Sequence, residues 1–548
     1  MDFGNIDIGF EVIAFFEREN FSSFKTANVV LQEKTGIAIF FEEENDFIQF
    51  QQTLKINQNM VAESRIEYGD YQTNLKLAQS VCVFLKDKNL KPKILIEPTC
   101  GKGNFIISAI QTFDSLQQIF GIEIQVQYLW QLKFTLIEYF IKNPSSNKPQ
   151  INLFYFNIFD FDFRQIKKQI NEQELLILGN PPWVTNTTLS TLNSKNLPKK
   201  SNFKNSKGID AITGKGNFDI GEFISLKMLD LFSTENGNFA FLIKNSVIKN
   251  IVFEQKKNIY PISNIEKHTI NAQKEFNAAV DASLFFCKFN ATSEFTAKEF
   301  DFYTSKPCAI LGWVNNKFAS DTEKYKKYQH LEGICPFEWR QGVKHDCAKI
   351  MELERTDSGF RNALGEEFEL EEDLIYGILK SSDLQQDVVD VSRKYTIVTQ
   401  NKIGQDTQKV LERLPKTKAY LERHKDYFLN RKSSIYNGKP MYSIFGIGDY
   451  SFKPYKVAIS GLYKQTKFTL VKPNGTALLL DDTCYFIGFE TLEEATNIQN
   501  LLNKNETQEF LKSFIFTDAK RVITKDLLMR IGLNSHSKHI KHKQLAVF

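Results

Sequence analysis

From Lys93 to roughly Phe302, short apolar runs alternate with helix-like stretches. The runs are Ile94-Leu95-Ile96, Ile119-Phe120-Gly121-Ile122, Leu153-Phe154-Tyr155-Phe156, Leu175-Leu176-Ile177-Leu178, Phe239-Ala240-Phe241-Leu242-Ile243 and Ser283-Leu284-Phe285-Phe286. Strands that are apolar throughout, with no polar alternation, are buried on both faces. The pattern therefore predicts a mostly parallel sheet with helices on both sides. Ahead of it, residues 1 to about 65 mix apolar and charged positions (Val12, Ile13, Phe15, Phe16, then Val29, Val30, Leu31), which suits one or two helices packed on something larger. Beyond about residue 330 the texture changes to clustered charges around Trp339 and a series of short strands between Tyr455 and Phe489. The expected division is a helical extension over 1–65, an α/β domain over 66–310 and a mixed α/β domain over 330–548, with the boundary between 305 and 330. Residues 184–218, rich in Asn, Ser, Thr and Lys, interrupt the α/β pattern, and a polar stretch that long inside a domain reads as mobile or functional.

Composition narrows the class. A chain of 548 residues, 42% of them hydrophobic, exceeds one ordinary domain and can bury a large core. Basic and acidic residues nearly balance, 69 against 65, so a nucleic-acid surface would have to come from local segregation of charge. The seven cysteines are scattered without a CxxC pair, and no apolar N-terminal signal precedes them, which points to a reducing cytoplasm and to no structural zinc or other metal. No apolar run reaches the length of a membrane span. The His- and Lys-rich end, Ser535 to Lys543, reads as a solvated terminus.

Two places carry chemistry. The first strand runs into Glu97-Pro98-Thr99-Cys100-Gly101-Lys102-Gly103-Asn104-Phe105 and then a helix. Glycines at a strand-to-helix turn let a ligand approach the backbone and the helix amides. Glu123 ends the next strand, twenty residues beyond Gly103, where an acid commonly takes the two hydroxyls of a ribose. The third glycine of the dinucleotide fingerprint and the Gly-Lys-Ser/Thr of a phosphate loop are both missing, and Glu97 would repel phosphate. S-adenosylmethionine, a nucleoside with an ammonium and a sulfonium, fits better; the competing reading is an ordinary tight turn.

The second place is Leu175-Leu176-Ile177-Leu178-Gly179-Asn180-Pro181-Pro182-Trp183, a buried strand that delivers Asn-Pro-Pro-aromatic to the ligand-binding edge of the sheet. The prolines fix the loop and hold Asn180 in extended geometry. An exocyclic aryl amine is a poor nucleophile because its lone pair is delocalised into the ring. Accepting both amino hydrogens, on the Asn180 side-chain oxygen and the Pro181 carbonyl, frees that lone pair to attack the sulfonium methyl. Trp183 would stack on a base flipped from the duplex. A rigid Pro-Pro turn with a core Trp is the alternative.

In motif content and order, the chain resembles the adenine-N6 DNA methyltransferases of bacterial restriction-modification systems, in the arrangement of their gamma class. The resemblance covers about residues 65 to 303. It implies a Rossmann-like S-adenosylmethionine-dependent methyltransferase domain followed by a C-terminal mixed α/β target-recognition domain. Gly69-Asp70-Tyr71-Gln72-Thr73-Asn74 is similar to the motif before the first strand, with Tyr71 and Thr73 at the cofactor and Asn74 where Pro is usual. By the same resemblance Glu97, Thr99, Cys100, Gly101, Gly103 and Phe105 form the cofactor loop, and Glu123 with Ile124 holds the ribose. Asn157 and Ile158 stand at the cofactor adenine, where the family has Asp and where Asp160 competes; Asn180 and Pro182 border the cofactor as well. Asn180, Pro181, Pro182 and Trp183 are the catalytic tetrapeptide, with Trp where Tyr is commonest. Phe276 matches the Phe that stacks on the opposite face of the flipped base, and Asp219 and Phe223 fall where a helix lines the cofactor pocket. Lys199, Lys200, Lys344, Lys520 and Arg521 are candidate phosphate contacts.

The implied partners are double-stranded DNA and a separate restriction endonuclease, with the enzyme itself monomeric and cytoplasmic. Cytosine-N4 methylation is the near rival, since the amine chemistry is the same, although that class more often has Ser in place of Asn180. Modification of an RNA base or a protein amide is a further alternative. The C-terminal region of more than 200 residues speaks against it, because a small target would not need one.

Overall fold

The computed structural model describes residues 6, 8–54, 72–185, 219–278, 280–516 and 521–533. The chain divides into two compact units, Met1–Asn316 and Lys317–Phe548.

The first unit is built on one sheet. Its strands are β1 (Ile94–Glu97), β2 (Gln118–Glu123), β3 (Gln150–Tyr155), β4 (Leu175–Gly179), β5 (Gly237–Lys244), β6 (Ser263–Ile270), β7 (Ala282–Lys288), β8 (Thr296–Asp301) and β9 (Pro307–Val314). They lie in the order β3-β2-β1-β4-β5-β7-β6-β8-β9. β3, β2, β1, β4 and β5 are mutually parallel, with Ile96 opposite both Phe120 and Ile177. Every residue of β1 and β4 is buried, which is why these strands read as unbroken apolar runs.

β7 departs from the parallel expectation, running antiparallel to both β5 and β6. Only residues 271–281 connect it to β6, and a parallel crossover needs a dozen residues or more. β6 alternates buried and less buried positions, so it produced no apolar run to detect. The sheet also extends past residue 310, because β9 pairs with β8.

Three helices, α1 (Phe10–Glu19), α2 (Phe24–Thr35) and α3 (Glu44–Leu54), occupy the N-terminal region where one or two were expected. They share one hydrophobic core with the sheet. Phe40, Phe41 and Phe50 meet Trp130 and Phe134 of the helix Val126–Lys142, and Phe16 packs behind them, its ring 4.7 Å from that of Phe50. Within this cluster Lys133 is buried, donates to the Phe40 carbonyl at 2.6 Å and lies 4.4 Å from the Trp130 ring. Loss of water there pulls its ammonium down to about 8.

Among the described residues the second unit holds two smaller sheets, largely antiparallel. One contains Cys484–Phe489, Tyr455–Ser460 and Thr469–Val471; the other contains Glu352–Thr356, Lys394–Ile397 and Ile375–Leu379. Its Trp339 is fully buried. Among the described residues no helix is long and apolar enough to cross a membrane.

Candidate active site

The carboxyl ends of β1, β2, β3 and β4 converge on one cleft with about 840 Å³ of empty space, part of it open to solvent. It sits where β1 is flanked by β2 on one side and β4 on the other, the crevice in which open α/β sheets bind ligands. Thr73, Glu97, Thr99, Cys100, Gly101, Phe105, Glu123, Ile124, Asn157, Ile158, Asn180, Pro181 and Pro182 all line it. Gln72, Asn104 and Tyr128 line it too, and the sequence motifs did not single them out. Their roles depend on contacts distant in sequence.

The loop after β1 is shaped by two glycines in left-handed conformation, Gly101 (φ 52°) and Gly103 (φ 76°). A Cβ on Gly103 would lie 2.1 Å from Leu132, so this residue packs the helix start and is absent from the cleft wall. Glu123 ties the loop to β2. One of its oxygens accepts from the Gly101 amide and the other from the Gln125 amide, each at 2.8 Å. A carboxylate held at both oxygens keeps lone pairs for further donors in a fixed direction.

Glu97 is buried and its Oε2 has no hydrogen-bond partner among the described residues; the same is true of the Thr99 hydroxyl. Burial, with Glu123 nearby adding to it, pushes the Glu97 carboxyl well above the usual range. An unsatisfied acid in a cleft is what a cationic ligand would relieve, and inward-facing acids are a poor seat for phosphate. The residues present therefore fit a cationic nucleoside.

Asn180 enters from β4. Its Nδ2 donates to the Thr73 hydroxyl at 3.2 Å, which commits the amino end of the amide and makes Oδ1 its acceptor end. Thr73 is placed in turn by Asn104, whose Nδ2 donates to the Thr73 carbonyl at 2.7 Å. Asn74, which replaces the usual Pro, caps the helix Leu75–Asp87 by accepting from Leu77 and also donates to Glu275 at 3.1 Å.

Asn157 and Asp160 differ in position. Asn157 lines the cleft, its Oδ1 accepting from the Phe159 amide at 3.0 Å, whereas Asp160 is exposed and outside the lining.

Trp183 and Phe276 lie outside the cleft lining and touch each other edge to face, with ring centroids 4.8 Å apart. A base stacked between them would have to separate the two rings, which here touch, so the expected sandwich is not present in this conformation. Trp183 is buried, with its indole nitrogen donating to the Leu242 carbonyl at 3.3 Å. Behind the loop, Lys244 donates to the Trp183 carbonyl at 3.2 Å and forms an ion pair with Asp219. Asp219 also caps the helix Ile220–Phe232 by accepting from Gly221 at 2.9 Å, and the helix contributes Ile220 and Ile224 to the cleft; Phe223 packs on Phe159 instead. The Lys244–Asp219 clamp had no signal in the sequence, since a Lys ending a strand resembles any surface Lys.

Tyr71, Lys199, Lys200 and Lys520 lie outside the described residues. Arg521 donates to the Asp482 carbonyl at 2.7 Å and pairs with its carboxylate, so it is engaged within its own unit. Lys344 is 3.6 Å from Asp346.

No family model matches the chain. It is 39% identical over 486 residues to the type II methyltransferase M.NspV of Nostoc sp. (strain ATCC 29411 / PCC 7524), covering 88% of this chain and 99% of that protein. Among solved structures, the type IIG restriction endonuclease BpuSI is similar at 10% identity and a TM-score of 0.37; 84% of this chain is covered, and the chain spans 58% of that enzyme. The type I restriction-modification system methyltransferase subunit from Streptococcus thermophilus is similar at 12% identity and a TM-score of 0.30, over 60% of this chain and 74% of that one. Both scores are too low to carry function across. The M.NspV match spans nearly the whole of both proteins, and by it the chain belongs to the type II methyltransferases.

Proposed function

We propose that the protein is a site-specific DNA methyltransferase of a restriction-modification system, which moves the methyl group of S-adenosylmethionine to the N6 amine of an adenine flipped out of duplex DNA. One observation carries this reading: Asn180, its amide anchored on Thr73, lines the same cleft as Glu97 and Glu123. On that reading Glu123 takes the ribose hydroxyls, Glu97 faces the cationic end of the cofactor and Asn157 lies at its adenine. Asn180 Oδ1 and the Pro181 carbonyl accept the two amino hydrogens of the target, freeing its lone pair for in-line attack on the methyl carbon. The carbon–nitrogen bond would form as the methyl–sulfur bond breaks, the neutral thioether leaving as S-adenosylhomocysteine and the proton shed by the amine passing to water. The second unit recognises the DNA site, and a restriction endonuclease would be a separate chain.

The test is to incubate the protein with S-adenosylmethionine labelled in its methyl group and mixed-sequence duplex DNA, digest the DNA, and identify the labelled nucleoside. N6-methyladenine is expected. N4-methylcytosine would overturn the choice of base, and label on RNA or protein alone would overturn the choice of DNA.

A further inference from the structure

The chain's small net charge conceals a strong local imbalance. Residues 402–439 hold ten Lys and Arg against four Asp and Glu, a net +6, while the whole chain is only +4. The remaining 510 residues therefore sum to −2.

In the second unit this segment forms three short helices, Thr407–Leu411, Pro415–Arg423 and Lys425–Leu429. Leu411, Tyr420, Leu421 and Phe428 are buried in the unit's core, which leaves the charged positions outside. Lys402, Lys409, Arg413, Arg423, Lys425, Lys432 and Lys439 are exposed and make no salt bridge among the described residues. Two other cations are already engaged: Lys416 pairs with Glu369 on the surface, and Arg431 donates inward to the Ser443 and Met441 carbonyls at 2.7 Å. Lys432 also borders a cleft shared with Lys344, Asn430 and Asp481, so the basic surface runs up to a wall bearing both donors and acceptors.

We infer that the exposed face of residues 402–439 is a seat for the phosphate backbone of duplex DNA. Seven exposed cations with no ion pair among the described residues suit a polyanion, since each phosphate neutralised releases a condensed counterion and makes binding steeply salt-dependent. The inference rests on the DNA reading above and adds to it where the strand is gripped. It replaces the expectation that Arg521 holds phosphate, because Arg521 is already engaged by Asp482.

The experiment uses the full chain with a fluorescent mixed-sequence duplex and measures binding by anisotropy across a salt series. The variant is Lys409→Gln/Arg413→Gln/Arg423→Gln/Lys425→Gln. A control, Lys464→Gln/Lys472→Gln/Lys504→Gln, removes exposed charge elsewhere in the same unit. The expected result is at least about tenfold weaker binding for the variant and a log–log salt slope smaller by roughly 3 to 4. S-adenosylmethionine binding and the control should match wild type. Wild-type affinity and slope in the variant, or equal losses in the control, would overturn the inference while leaving the DNA reading intact. Absence of duplex binding by the wild-type protein would overturn both.

Discussion

The two units place their chemistry differently. In the first, one continuous sheet brings four strand ends to a single edge, and the candidate groups are few, buried or half-buried, and held by neighbours a long way off in sequence: Asn180 by Thr73, Glu123 by Gly101, Trp183 by Lys244. In the second, whose described strands form two smaller sheets, the distinctive property is exposed positive charge over short helices that no ion pair among the described residues takes up. A geometric site needs precise placement and little area. A backbone-binding surface needs area and charge, and tolerates imprecise placement. Single substitutions should therefore be severe in the first unit and nearly silent in the second, where charge has to be removed in groups.

The contrast can be broken most visibly at Glu123. Glu123→Ala should weaken S-adenosylmethionine binding by about 100-fold, roughly 3 kcal/mol, because a carboxylate that fixes the loop and lines the cleft is lost. Calorimetric titration measures this, and DNA affinity should change little. Equal weakening of both ligands would argue against a cofactor role.

At Lys244 the effect is expected on stability first. Lys244→Met strands Asp219 in a site where the pair is largely buried, and should cost about 3 kcal/mol. The double variant Lys244→Met/Asp219→Asn should recover part of it, and Lys244→Arg should recover turnover if the clamp positions the loop. Denaturant unfolding and kcat separate the two roles. A double variant no more stable than the single one would mean that the ion pair is incidental.

A smaller, pH-dependent effect belongs to Glu97. Its carboxyl is raised in the folded protein, so between the ordinary carboxylate value and the raised one the folded state holds more protons than the unfolded. Stability should fall as pH rises through that window, and Glu97→Gln should flatten the fall while weakening cofactor binding. A cationic ligand would draw the proton off, so cofactor binding to wild type should release protons and tighten with rising pH. Titration in buffers of different ionisation enthalpy reads the release, and none would contradict the pairing of Glu97 with positive charge.

The legibility of the chain follows the same division. β1 and β4 were readable because each is buried on both faces and leads directly into its motif; β6 was hidden by its alternation, and with it the antiparallel turn into β7. Cleft residues carried by contiguous motifs could be named in advance, among them Glu97, Thr99, Cys100, Gly101 and Phe105, and Asn180 to Pro182. Asn104 and Lys244 could not, because their partners are set only by the fold. Trp183 and Phe276 are expected on opposite faces of a base; that their rings meet edge to face, and that Trp183 is buried, could not be seen in sequence. In the second unit no motif marks the basic surface. It emerges only when charge is counted over a window and the ion pairs of the folded chain are subtracted.

The central claim is that one cleft holds the cofactor and, through Asn180, activates the amine that takes its methyl group. The most direct measurement compares wild type and Asn180→Ala in the same preparation, by S-adenosylmethionine binding and by single-turnover methyl transfer to duplex DNA. Transfer should fall by at least about a thousandfold, as loss of a preorganised polar group allows, with cofactor affinity and thermal stability near wild type. Transfer at the wild-type rate in Asn180→Ala would contradict the account.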